Sequence, residues 1–254
     1  MLELGQPMHA FDAQTVEGGI VVRHAHVGES ITCLDGEQRL LDSEMLLIAD
    51  KKKALAIAGV IGGQESGITG STTSIIFEAA TFDATSIRKT STHLGLRSES
   101  SSRFEKALDP KLAPLALARA VELVKTLCAD SEVSSSVVDI YHGQSEPLSI
   151  KLSSSFIEMM LGVSIPVKEV SSILSRLGFE VKVVRGDFIV GIPSWRATKD
   201  VTIPADIVEE IARIYGFCKI PSTLPKFPIV SARLESINVL MHWTRQVLAL
   251  RFAA

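Results

Sequence analysis

The sequence predicts an α+β chain: a mixed β-sheet domain with helices over residues 1–147, then a small winged-helix-like helix and hairpin module over 148–222. Three observations carry this. Short β-rich runs broken by Gly and Asp-Gly turn signals occupy residues 20–77. Capped helical runs follow at 83–94, 100–107 and 111–128. Past a turn-rich break, helices flank two alternating strands centred on Gly186. The winged-helix comparison concerns shape alone.

Taken in order, residues 4–12 hold His9 and Asp12 in an apolar segment with Pro and Gly that lacks helical periodicity. Pro7 fixes its own φ and drives Gln6 toward extended geometry, so a shaped turn or loop is expected. Gly18-Gly19 opens a strand at 20–23. Residues 31–34 and 39–41 form a hairpin in which Asp35-Gly36 suits a type I′ turn. Residues 45–49 read as a strand, and the continuous apolar run 54–60 as a strand buried on both faces, leading into a glycine-rich loop at 59–70. Residues 75–77 are a further strand, directly followed by Glu78.

Asp83 is a good N-cap, and Gly95 a C′ residue, for the first helix. In the helix at 111–128, Leu117, Ala120, Val121, Val124 and Cys128 form an apolar stripe. Turn-rich stretches at 131–136 and 143–147 place a domain boundary near 147. Residues 154–161 are helical. A second helix covers 167–177, with Pro166 before it, Gly178 after it, and Val170, Ile173, Leu174 and Leu177 on its buried face. Strands at 179–184 and 188–192 precede a helix at 204–215. The remainder, 223–254, reads as a loop and the helical run 236–252, with no partner element after it, as expected of a truncated domain.

Of the 254 residues, 46% are hydrophobic and 22% charged, which fits a folded globular chain and excludes disorder. A net charge of −3 argues against a broad basic field for gripping nucleic acid. Cys33, Cys128 and Cys218 are odd in number and lack CxxC spacing, so neither a disulfide framework nor a zinc site is indicated, and a cytoplasmic setting is expected. Met1-Leu2-Glu3 lacks the start of a signal peptide, and the apolar tail is interrupted by His242, Arg245 and Arg251.

Several constellations are candidates for chemistry. Gly59-Val60-Ile61-Gly62-Gly63 lacks both the Gly-Lys-Ser/Thr ending of a P-loop and the GxGxxG spacing. Close backbone approach to a small ligand, or plain turn geometry, explains it better. Glu78 is either an ordinary strand-end residue meeting water or a buried acceptor, and a desolvated carboxylate needs a partner. His9 is either a satisfied loop histidine or a functional one. Ser98 and Ser100 stand at a helix start, where capping is the default role. Asp206, Glu209 and Glu210 at i, i+3 and i+4 place three carboxylates on one helix face, with Asp200 just upstream. Hard oxygen donors at that density suit Mg²⁺, against a solvated face in which Glu209 pairs with Arg213. Arg185-Gly186-Asp187 copies an adhesion tripeptide, and a tight turn explains it fully.

Six blocks in order resemble the bacterial-type β subunit of phenylalanyl-tRNA synthetase over residues 1–222. They are Gly5-Gln6-Pro7-Met8-His9-Ala10-Phe11-Asp12, Gly59-Val60-Ile61-Gly62-Gly63, Phe77-Glu78-Ala79-Ala80, residues 95–105, Pro193-Ser194-Trp195-Arg196 and residues 206–216. The resemblance implies that 1–147 is an editing domain that hydrolyses tyrosine wrongly attached to tRNA(Phe). It puts editing-pocket positions at His9, Gly62, Glu78, Ser98 and Ser100, with Glu78 accepting the tyrosine hydroxyl and a positioned water attacking the ester. Ser98 stands where Thr is usual and Ser100 where Ala is usual, which adds a polar atom to the pocket wall.

The resemblance further implies Mg²⁺ on Asp200, Asp206, Glu209 and Glu210, shared with the α subunit in an α2β2 heterotetramer. The segment from Arg196 to Asp206 is two residues longer than a common family form. ATP is implied for the whole enzyme and not for these residues. The rival reading is a binding and assembly module for tRNA or the α subunit with a vestigial pocket. A free-standing editing factor is the third reading, weakened by the incomplete helix after Ser236.

Overall fold

The computed structural model describes residues 1–141, 143, 147–224, 226–228 and 235–252. The turn expected at 143–147 and the loop after 224 fall mostly outside the described residues. The chain packs as two units, residues 1–217 and 218–254. No helix among the described residues is long and apolar enough to cross a membrane.

The first segment of the larger unit is built from antiparallel pairs, as the short strands and tight turns of the sequence demand. Strand β1 (Met8–Asp12) pairs with β8 (Ile75–Ala79). Strands β2 (Val21–His24), β5 (Leu46–Ala49), β6 (Ala54–Ile57) and β7 (Ile61–Gly62) form a four-stranded sheet in the order β2-β5-β6-β7. Strands β3 (Ser30–Thr32) and β4 (Gln38–Leu40) form the expected hairpin. Its turn differs from type I′, because Gly36 has φ +84° while Asp35 stays out of the left-handed region. A single left-handed residue after the turn is the arrangement of a longer hairpin loop.

Between β5 and β6, the carboxylate of Asp50 accepts the backbone N–H groups of Glu17, Lys52 and Lys53 at 3.0, 2.7 and 2.8 Å. Burial opposes the charge of Asp50, but these donors hold its carboxyl below the usual range. The strand expected at 54–60 ends at Ile57. Gly59 turns the chain at φ +67°, and a Cβ there would lie 2.8 Å from both Ile87 and Phe82.

Three helices follow: α1 (Ala84–His93), α2 (Glu99–Phe104) and α3 (Leu112–Leu127). Asp83 caps α1 by accepting from the Ser86 N–H at 2.8 Å. Helix α3 buries only Ala116; of the expected stripe, Leu117, Ala120, Val121 and Val124 are half-buried and Cys128 is exposed, so it is less covered than the periodicity suggests. The core here joins Leu47, Ile57, Ile87 and Phe104 in one cluster and Phe11, Ile48 and Leu55 in another.

The second segment opens on a strand that the sequence reading omitted, β9 (Ser149–Leu152), which edges a three-stranded sheet β10-β11-β9. Helices α4 (Ser154–Leu161) and α5 (Val167–Arg176) precede β10 (Glu180–Val184) and β11 (Asp187–Gly191). Arg185 and Gly186 both have positive φ, 54° and 91°, which is the type I′ requirement of a two-residue hairpin. A short α6 (Ser194–Ala197) and α7 (Pro204–Tyr215) close the segment around Leu174, Val190, Ile207 and Ile211. The smaller unit contains α8 (Ser236–Phe252).

Candidate active site

The loop expected at residues 4–12 is a strand from Met8 onward, because β8 supplies backbone partners that outweigh the local turn signals. The register then places His9 directly opposite Glu78. Ala13 N–H donates to Ser74 O at 3.0 Å, which fixes that position as a hydrogen-bonded one. Alternation along the ladder makes His9 and Glu78 a hydrogen-bonded pair as well, with both side chains on one face. Sequence alone left Glu78 at a strand end, whereas it lies inside β8.

That face borders a cavity of about 240 Å³. His9, Gly62, Glu78 and Ser100 all line it, so the structure gathers four of the five expected pocket positions around one space. The remaining wall is apolar, from Met8, Leu34, Ile48, Phe82 and Phe104. Ser98 stands one step behind. It caps α2, accepting from Ser101 N–H at 3.0 Å, and its hydroxyl donates to Val60 O at 2.6 Å. Ser100 Oγ donates to Gly59 O at 3.0 Å. Both serines therefore tie the start of α2 to the turn between β6 and β7. The proton of the Ser100 hydroxyl is engaged by that turn.

Gly62 is required by close approach. A Cβ there would sit 2.4 Å from His9 Cε1 and 2.9 Å from Leu34 Cδ1, so the imidazole rests against bare backbone. The other side of His9 meets the Phe11 ring edge-on, with centroids 4.5 Å apart. Its Nε2 is buried without a hydrogen-bond partner among the described residues. Burial lowers the pKa of His9, which keeps the imidazole neutral near pH 7.

Glu78 has no ion-pair partner among the described residues, and burial pushes its carboxyl up to about 7. The folded chain thus holds this proton more tightly than the unfolded chain, whose carboxyl titrates at 4.5. The Glu78 contribution to stability is then full below pH 4.5, falls as pH rises toward about 7, and levels off above it. A Glu78→Gln chain is expected to lose that slope and to gain at most about 3 kcal/mol over the parent at pH 8. Melting curves at pH 4.5 and pH 8 check this, and an unchanged slope contradicts it.

The four carboxylates expected to hold Mg²⁺ are placed differently from the shared helix face inferred from their spacing. Glu209 is exposed, while Glu210 is buried and accepts from Arg196 Nη2 at 2.8 Å and from Arg213. Asp206 turns back to the helix start, accepting the N–H groups of Thr202 and Ile203 at 2.8 and 2.9 Å. These donors hold its carboxyl below the usual range. Asp200 pairs with Arg196. Positions i+3 and i+4 straddle the boundary between the core and water, so the spacing alone does not bring these side chains together. Among the described residues, no three metal-type side chains gather. Carboxylates already engaged by two guanidiniums and two backbone donors do not fit a divalent cation in this arrangement. Glu210→Ala would leave Arg196 with Asp200 alone and Arg213 to water, and should destabilise the chain by about 1–3 kcal/mol. A denaturant titration checks it.

Two further residues belong to the site that sequence reasoning did not single out. Leu34, an apolar residue in a turn where polar ones are usual, is half exposed yet lines the cavity mouth. Gln6 is fully buried beside β1, and its amide donates to Ala80 O at 2.8 Å.

The B3/4 domain family matches residues 1–129, and the tRNA synthetase B5 domain family matches residues 150–217. The phenylalanine–tRNA ligase beta subunit of Moorella thermoacetica is 46% identical over 89% of this chain and 28% of its own length. That of Clostridium acetobutylicum is 44% identical over the same shares. The chain therefore spans 28% of the length of these relatives. An N-terminal fragment of the phenylalanyl-tRNA synthetase beta subunit from Pyrococcus horikoshii superposes over 80% of this chain and 58% of that one, at 15% identity and TM-score 0.45.

Proposed function

We propose, from the premise that the chain belongs to the phenylalanine–tRNA ligase beta-subunit family, that the cavity of its B3/4 segment hydrolyses tyrosine wrongly esterified to tRNA(Phe). One observation carries the reading. A carboxylate without an ion-pair partner among the described residues, Glu78, stands beside His9 on the wall of a mostly apolar cavity of about 240 Å³.

The apolar wall accepts an aromatic ring, and Glu78 accepts the phenolic hydrogen of tyrosine. Phenylalanine offers no such hydrogen, so its entry would cover the half-buried carboxyl without giving it a partner. Discrimination then runs in the useful direction, because the correct ester is spared. Water attacks the ester carbonyl, the bond to the ribose oxygen breaks, and that oxygen takes the proton. Free tyrosine and uncharged tRNA result. The neutral His9 and the backbone around Gly62 orient water or ester; no residue here requires a covalent intermediate. ATP and Mg²⁺ belong to the whole ligase in this reading, and no step in the cavity uses them.

For the B5 segment we propose docking to the α subunit or tRNA within that ligase, in the cytoplasm. Trp195, Ile203 and Phe217 favour it, being 62%, 54% and 64% exposed in a segment with its own complete core. The division at residue 147 is retained on this functional ground.

Deacylation of Tyr-tRNA(Phe) and Phe-tRNA(Phe) under single-turnover conditions tests the hydrolytic part. Selective loss of the tyrosyl ester is expected. Equal decay of both esters at the uncatalysed rate would leave only the assembly role.

A further inference from the structure

Strand β1 begins with a defect that one side chain repairs. In the β1–β8 ladder, the hydrogen-bonded positions run from Ala13 and Ser74, through Phe11 opposite Ile76, to His9 opposite Glu78. Continued by two residues, the next such position sets Pro7 against Ala80. Pro7 has no N–H to give. Ala80 O would therefore lose its donor one step beyond the His9–Glu78 pair.

Gln6 supplies that donor. Its Nε2 lies 2.8 Å from Ala80 O and 3.0 Å from Pro7 O, and the residue is wholly buried. Its Oε1 is buried without a partner among the described residues. Burying such an amide costs free energy that packing alone does not return, so its bond to the far strand is the gain to be explained.

We infer that Gln6 is a positioning residue: its side-chain amide replaces the N–H that Pro7 lacks and so locks His9 in register against Glu78. The effect on substrate discrimination rests on the editing reading above; the effect on register does not. A proline at this place fixes the chain's approach to the strand, and the amide restores the lost rung.

The test uses Gln6→Ala, the same-shape Gln6→Glu, Pro7→Ala, and the double variant Gln6→Ala/Pro7→Ala. Amide hydrogen exchange at His9 and Glu78 is read without any ligand. Each Gln6 single variant should weaken protection about tenfold, since one rung is lost. The double variant should recover to within about threefold of the parent, because Pro7→Ala restores a backbone donor to Ala80 O. A merely space-filling Gln6 would not be rescued by a change at Pro7. Protection in the double variant as weak as in Gln6→Ala, or unchanged in both Gln6 single variants, overturns the inference.

The ratio of tyrosine to phenylalanine affinity is measured on the same proteins. It should fall about tenfold with Gln6→Ala and return in the double variant. A parent chain that binds both amino acids alike, with the exchange pattern as expected, would sink the editing reading while leaving the positioning role intact.

Discussion

Replacing Glu78 by Ala is expected to erase the preference for tyrosine over phenylalanine. A hydrogen bond to a charged group contributes about 1.5–3 kcal/mol, so the affinity ratio should drop by about ten- to a hundredfold. The loss should fall on tyrosine alone, since phenylalanine makes no bond to this carboxyl. The preference of the parent chain should itself grow as pH rises through about 7, where the Glu78 carboxyl ionises and becomes the stronger acceptor. Glu78→Gln should keep part of the preference, as its amide oxygen still accepts. A Glu78→Ala chain that still prefers tyrosine would move the selective contact to another residue.

The second large effect is expected from Gly62→Ala, on chemistry more than on fold. The new methyl would meet His9 Cε1 at 2.4 Å and Leu34 Cδ1 at 2.9 Å, and both must give way. Gly62 does not have a positive φ, so the backbone itself tolerates alanine. Overpacking of this kind costs about 1–3 kcal/mol of stability. Shifting His9 by about an ångström should slow hydrolysis of the tyrosyl ester about a hundredfold. Deacylation rates beside a melting curve separate the two effects. A variant with unaltered hydrolysis would show that His9 does not orient the reacting groups. Gly59→Ala is a contrast, because its positive φ and its contacts with Ile87 and Phe82 make it a fault of the fold.

What the sequence revealed divides along physical lines. Elements set by local chemistry were legible: the Asp83 cap, the β3–β4 and β10–β11 hairpins, and the amphipathic α5 and α7. Elements that depend on a distant partner were not. Strand β1 looked like a loop because Pro7 and Gly5 are turn residues, and only β8, far along the chain, makes it a strand. Strand β9 is short and was hidden by its turn-rich surroundings.

The pocket residues were named through family likeness, and the fold explains why they converge. One ladder sets His9 against Glu78, and one close-packed turn sets Gly62 beneath His9 and offers carbonyls to Ser98 and Ser100. The acidic helix shows the opposite case. Spacing put Asp206, Glu209 and Glu210 together, but helix capping took the first, water the second, and two arginines the third.

Calorimetric titration of the chain with free tyrosine and with free phenylalanine at pH 8 tests the central claim most directly. Tyrosine binding at least about tenfold tighter is the expected result, since Glu78 is then ionised and the phenol can donate to it. Equal affinities, or tighter binding of phenylalanine, would contradict a hydroxyl sieve built on Glu78.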